Sequence, residues 1–144
     1  MKLIAHRGNY NGKESEKENT IEHIQNCLSL GLDVEIDIRF YDKKLFFGHD
    51  FAQENFIADQ WEKYKNKLWV HCKDIETALI FNKFSGWNYF MHENDDATIT
   101  STNILWCHPR VGPVKGAVLV DVERKFELEG LYGVCSDNLI DLLK

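Results

Sequence analysis

Asp33 to Asp50 reads D-V-E-I-D-I-R-F-Y-D-K-K-L-F-F-G-H-D. Apolar and polar residues alternate through its first half, the period of a β-strand. Val34, Ile36 and Ile38 fall on one face; Glu35, Asp37 and Arg39 fall on the other. In a plain surface strand the second face meets water. Here two carboxylates two residues apart point the same way, so they repel unless protons or a cation lie between them. The turn Tyr41-Asp42-Lys43 leads into a second apolar run, Lys44–Gly48, which ends in His49-Asp50. An acid pair, a hairpin and a terminal His-Asp can hold a divalent cation and place a proton-transfer group beside it.

Working outward, the 144 residues suffice for one domain with a real core, read as a single unit over 1–144. The net charge of -6 and scattered Lys and Arg argue against nucleic acid or an anionic membrane as partner. No apolar stretch approaches the roughly 18–20 residues of a membrane span. The opening Met1–His6 runs straight into a strand-like segment without the apolar region of a signal peptide, so a cytoplasmic protein is the expectation. Cys27, Cys72, Cys107 and Cys135 are far apart and expected to be buried free thiols.

Lys2–Ala5 reads as a first strand ending in His6-Arg7-Gly8. Thr20 caps a helix from Ile21 to Leu30, with a stripe of Ile21, Ile24, Cys27 and Leu28 and a stop at Gly31. After the central strand and hairpin, Phe51–Asn66 is ambiguous between helix and loop. Further strands are expected at Leu68–Cys72, Asn88–Met91, Ile104–Cys107, Ala117–Val122 and Leu131–Cys135, about seven strands in all. Asp74 caps a helix Ile75–Phe84, and Ser136-Asp137 a short one over Asn138–Leu143. Asn94–Asn103 reads as a polar loop. Strands alternating with helices or loops predict a largely parallel sheet. The fold expected is α/β, a compact (β/α) TIM-like barrel with several outer helices shortened or missing, because a full barrel takes about 200 residues or more.

Five histidines, His6, His49, His71, His92 and His108, fall at or near the C-terminal ends of expected strands, where α/β folds build their sites. His6 can exchange a proton while Arg7 neutralises an anion. Glu35 and Asp37 suit a hard cation, Mg²⁺ or Ca²⁺, and Lys73 can bind a phosphate oxygen as a point charge. Trp69, Trp87 and Trp106 read as core, though Trp106 lies where an apolar substrate group can stack. His92 with Glu93, Asp95 and Asp96 reads as a solvated loop in preference to a second metal patch. Asp121 and Glu123 alternate on a late strand and are candidates to point into the barrel end. His108-Pro109-Arg110 reads as a turn, with an anion contact as the alternative.

His6-Arg7-Gly8, Glu18-Asn19-Thr20, Glu35-x-Asp37 and His49-Asp50, in that order and spacing, resemble the N-terminal signature of the glycerophosphodiester phosphodiesterase family. Val70-His71-Cys72-Lys73 and Gly133–Asp137 resemble two of its later strands more faintly. The resemblance implies a (βα) barrel and metal-dependent cleavage of a small phosphodiester. It makes His6 and His49 the acid/base pair, Glu35 and Asp37 metal ligands, and Arg7 and Lys73 phosphate contacts, with Glu18 and Asn19 supporting the substrate site. The chain departs from the family at His71, where a third carboxylate ligand is usual. An imidazole there suits Mn²⁺ or Zn²⁺ better than Mg²⁺ or Ca²⁺. The chain is also much shorter than the usual member, which implies a shallow, open pocket. The competing reading is a catalytically weak barrel that binds a phosphate-containing ligand. A sphingomyelinase-D-like lipid phosphodiesterase shares the His and acid pattern but ranks lower, since nothing suggests secretion or a membrane-binding surface.

Overall fold

The computed structural model describes residues 1–143. The central stretch forms β2 (Asp33–Tyr41) and β3 (Lys44–Phe47), an antiparallel hairpin in which Tyr41 faces Lys44 across Asp42-Lys43. Both turn residues take positive φ, 48° and 62°, as a two-residue hairpin loop requires. Around this hairpin stand β1 (Lys2–His6), β4 (Leu68–Cys72), β5 (Asn88–Phe90), β6 (Ala97–Ile99), β7 (Leu105–Cys107), β8 (Val118–Val120) and β9 (Gly133–Ser136). The strand order is β5-β4-β2-β1-β9-β8-β7-β6, with β3 hanging off β2. From β5 through β7 every pairing is parallel; β6 returns antiparallel to β7. The sheet nearly closes on itself: the Ser101 N–H donates to Tyr89 O (2.9 Å), and the Tyr89 N–H donates to Ser101 Oγ (2.9 Å). The result is a mixed α/β, nearly closed eight-strand barrel-like sheet with few helices.

Helices cover only part of the outside. α1 (Ile21–Ser29) starts at Thr20, whose side chain accepts the His23 N–H, and buries His23, Ile24 and Cys27. α3 (Ile75–Lys83) starts at Asp74, whose carboxylate accepts from Thr77 and also from the Phe40 N–H, tying the helix to the end of β2. The ambiguous segment resolves into α2 (Ala58–Trp61) and a 3₁₀ stretch (Glu62–Lys67). Phe56 and Trp61 from this segment pack on Phe47, with ring centroids 5.3 and 5.5 Å apart. Beyond β7 and β8, loops carrying Val114, Phe126 and Leu128 replace helices over Cys107, Leu119 and Leu131.

Period-two alternation sorts the strands between two cores. Val34, Ile36, Ile38 and Val70 face outward under the helices. Ile4, Trp69, Phe90, Trp106, Val118 and Cys135 fill the lumen, with Phe90–Trp106 and Trp69–Trp106 centroids at 4.5 and 5.6 Å. Each buried ring of this size is worth about 1.5–3 kcal/mol. The lower lumen is closed by Asp33, which accepts from Trp69 Nε1 (3.0 Å) and pairs with Lys2 and Lys67, both at 3.6 Å.

Three expectations need amending. Asn94–Asn103 contains β6, a three-residue strand too short to show a period. Asn138–Leu143 forms only a 3₁₀ turn over Ile140–Leu142. Asp121 lies beyond the end of β8, accepting the N–H groups of Lys125 and Phe126, while Glu123 pairs with Lys125; neither points into the barrel end. All four cysteines are buried and free. Among the described residues no helix is long and apolar enough to cross a membrane.

Gly48 turns the chain from β3 toward His49. Its φ is +147°, and a Cβ there would sit 1.8 Å from Phe51 O. Gly48→Ala is therefore expected to destabilise the protein by about 3 kcal/mol or more, read as a fall in denaturation midpoint.

Candidate active site

The residues above the lumen core belong to the same inward-facing rows: His6 above Ile4, Glu35 and Asp37 above Asp33, His71 above Trp69, His92 above Phe90, and His108 above Trp106. They meet at the C-terminal end of the parallel strands, around a cavity of about 590 Å³. All five strand-end histidines line it, with Arg7, Glu35, Asp37 and Lys73. Trp106 forms part of its floor at 3% exposure. His23 lies elsewhere, buried beneath Gly8 and bonded through Nε2 to Asn9 Oδ1 (3.0 Å).

Glu35, Asp37 and His71 offer ligand atoms that all lie within 4.8 Å of one another. Both carboxylates are buried, Glu35 at 3% exposure and Asp37 at 0%. His71 Nε2 lies 2.8 Å from His92 O. A carbonyl can only accept, so Nε2 carries the proton and the neutral ring turns the Nδ1 lone pair toward the carboxylates. Phe90 stacks on this ring at 5.0 Å and 13°, fixing its plane. Nδ1 lies 3.2 Å from Asp37 Oδ1 and 3.8 Å from Glu35 Oε1. Asp37 Oδ1 is nevertheless a buried acceptor with no aligned hydrogen-bond partner. A ring nitrogen and a carboxylate oxygen facing each other at this distance hold a cation between them, a proton on Nδ1 when the site is empty or a metal ion when it is filled. The donor set, two carboxylates and one imidazole held by a backbone carbonyl, fits a divalent metal.

The other Asp37 oxygen is fully engaged. Asn19 clasps the residue twice, Nδ2 donating to Oδ2 and Oδ1 accepting the Asp37 N–H, both at 2.9 Å. Arg7 Nε lies 3.3 Å from Oδ2. Burial pushes the Asp37 carboxyl up, but the His71 ring in its charged, metal-free form, Arg7 and the Asn19 amide outweigh it and hold it well below the usual carboxylate range. Glu35 goes the other way. Burial first, then the Asp37 charge, pushes it to about 7 from its ordinary 4.5. A folded-state value above the unfolded one means that the native protein holds the extra proton between those limits. Its stabilising contribution is complete below about pH 4.5 and is lost as pH rises through about 7. Metal-free protein is thus expected to lose melting temperature over that range from this group. Glu35→Gln is expected to flatten the slope.

Arg7 and Asn19 both take left-handed backbone, φ 56° and 60°, and the Asn19 N–H donates to Arg7 O (3.0 Å). Strained backbone of this kind concentrates at functional sites. Glu18 accepts from Arg7 Nη1 (3.3 Å) and Asn9 Nδ2 (2.7 Å). Glu18 and Asn19 were expected among substrate contacts; neither lines the cavity, because their side chains are spent holding Arg7 and Asp37 from behind.

His6 and His49 each present a His–Asp pair. His6 Nδ1 lies 2.9 Å from Asp137 Oδ1, which also accepts Asn9 Nδ2 (3.0 Å). Burial lowers the His6 pKa, but the Asp137 hydrogen bond and the Glu35 charge outweigh it, and the net shift is upward. His49 Nδ1 lies 2.7 Å from Asp50 Oδ1, and burial lowers its pKa below the ordinary value. In both rings Nε2 remains for chemistry. Asp137 and Asn9 were not singled out as site residues; the only signal for Asp137 was its place just past a strand in Gly133–Asp137.

His108 heads a turn in which the Val111 N–H donates to His108 O (3.0 Å), and Arg110 is occupied by Asp96 and the Asn94 and Asp95 carbonyls. The turn reading of His108-Pro109-Arg110 holds, and Arg110 does not line the cavity. Among the described residues, His92, Glu93, Asp95 and Asp96 do not gather into a metal-holding group.

No protein-family model matches this chain, and comparison with characterised proteins and with solved structures returns no match.

Proposed function

We propose that this protein is a metal-dependent phosphodiesterase acting on a small, glycerophosphodiester-like substrate, built on a reduced (β/α) TIM-like barrel. The observation that supports it most is the meeting of the Glu35–Asp37–His71 group with two His–Asp pairs around one cavity. A phosphodiester has a poor leaving group, so its cleavage needs a base at the attacking oxygen and an acid at the departing one. His49, held toward its neutral form, takes the proton from the attacking hydroxyl or water at Nε2. His6, held toward its charged form by Asp137, gives a proton from Nε2 to the leaving oxygen. Arg7 and Lys73 bring positive charge to the nonbridging oxygens. Glu35, Asp37 and His71 would hold the divalent ion, which when bound polarises a phosphoryl oxygen.

The test is turnover of bis(p-nitrophenyl) phosphate and glycerophosphocholine by metal-stripped protein, with Mg²⁺, Ca²⁺, Mn²⁺ or Zn²⁺ added back. The expected result is metal-dependent hydrolysis that falls by about 10³-fold or more in Glu35→Gln. Metal or phosphate binding without turnover would favour a binding module instead.

A further inference from the structure

His92 is the residue of this cavity that the proposed chemistry leaves unused. Both of its ring nitrogens are closed off in this conformation, so a ligand oxygen reaches them only with a small turn of the ring, and neither has a hydrogen-bond partner among the described residues. A neutral imidazole always carries one N–H and one lone pair, so a buried donor is left without an acceptor. Leaving such a group unpaired costs about 1–3 kcal/mol. An unpaired donor of this cost at a cavity wall is open to an acceptor, water or ligand, that enters the cavity.

His92 lies between His71 and His108, with ring centroids 6.5 and 6.1 Å away. The three rings form one wall, but their hydrogen-bond polarity differs. His71 donates Nε2–H to a carbonyl and offers a lone pair, the polarity of a metal ligand. His108 does the reverse: its Nδ1 accepts the Arg110 N–H at 3.1 Å, so the neutral ring carries its proton on Nε2. That ring offers a donor, not a lone pair. His108 therefore adds an N–H donor to the wall and no lone pair for a metal, and His92 lies outside the metal group and carries one N–H with no acceptor on whichever nitrogen holds its proton. Glu93, the neighbouring acid, also lines the cavity, but it is solvent-exposed, where its charge is screened.

We propose that His92 and His108 form a second recognition subsite that hydrogen-bonds an oxyanion carried by the substrate away from its scissile phosphate. The inference rests on the phosphodiesterase reading and narrows its substrate class. The alcohol on one side of the diester bears a carboxylate or a phosphate group. A ring-to-ring step of 6.5 Å corresponds to a spacer of about four or five bonds at ~1.5 Å each. Two donors in a partly desolvated wall favour an anionic acceptor over a neutral one, because hydrogen bonds to a charged group are roughly twice as strong.

Three matched probes test this by isothermal titration at fixed Mn²⁺: butylphosphonate, 4-phosphonobutyrate and butane-1,4-bisphosphonate. The wild-type chain is expected to bind at least one two-headed probe about tenfold or more tightly than butylphosphonate, and whichever is preferred identifies the oxyanion as carboxylate or phosphate. That ratio is expected to fall to about one in both His108→Phe and His92→Phe, and to recover partly in His92→Gln, whose amide restores a donor. The His92 carbonyl that orients His71 is backbone and survives every variant. A ratio near one in the wild-type chain, no binding of any probe, or a ratio unchanged in either Phe variant overturns the proposal. Failure of the phosphodiesterase reading is seen separately, as absent turnover of bis(p-nitrophenyl) phosphate, which has no second oxyanion.

Discussion

His71→Glu is expected to move the metal preference of this protein from Mn²⁺ or Zn²⁺ to Mg²⁺ or Ca²⁺. The proposed donor set is two carboxylates and one imidazole, and imidazole favours borderline metals over hard ones. Its lone pair is aimed by two contacts, the Nε2–H bond to His92 O and the stack on Phe90. A glutamate at 71 supplies a third hard oxygen and a further negative charge beside Glu35 and Asp37. The expected result is a change of about 10–100-fold in the ratio of Mn²⁺-supported to Mg²⁺-supported turnover. Titration calorimetry with each ion checks the same ratio without relying on catalysis. A variant with an unaltered preference would show that His71 is not a ligand. His71→Phe controls for the ring: it keeps the stack, removes the donor and is expected to weaken binding of every ion.

His6→Ala and His49→Ala are each expected to cut turnover by about 10²–10⁴-fold while the protein stays folded. Neither ring belongs to the apolar core, and His49 is only half-buried at the cavity rim, so circular dichroism and melting temperature should change little. The two losses should differ in their dependence on the leaving group. Without His6 the leaving oxygen lacks its proton donor, so diesters of p-nitrophenol, which departs readily as an anion, should suffer far less than alkyl diesters. Without His49 both should suffer alike, since the base acts on the attacking oxygen. The reverse pattern would exchange the roles of the two histidines. Asp137→Asn is expected to reproduce part of the His6 effect, because the amide no longer favours the charged ring held at 2.9 Å.

Much of this was legible in the chain because strands write their geometry with a period of two. The alternation of Asp33–Phe40 identified a strand with two differently used faces, and both faces are buried in the structure. Thr20 and Asp74 marked helix starts through their capping chemistry, which acts within four residues. The strand-end positions of five histidines announced a common cavity. Local signals failed where the determinant is remote. β6 exists because Ala97–Ile99 finds a partner in β7, not because three residues carry a pattern. Asp121 follows the outward-facing Leu119, while Val120 and Val122 line the cavity, and two N–H groups from the next turn claim its carboxylate.

Residue type and spacing thus determined by themselves that Glu35, Asp37 and the histidines stand at one end of a parallel sheet. Only the tertiary structure decided what each polar group faces. Asn19 and Glu18 turned out to hold Asp37 and Arg7 rather than reach the cavity. Asp137, at the far end of the chain, became the partner of His6 once β9 paired with β1. The polarity of His71 and of His108 was set by one backbone carbonyl and one backbone N–H. Hydrogen bonds act over about 3 Å between atoms that can be more than a hundred residues apart, so their direction becomes readable only when the barrel has closed around them.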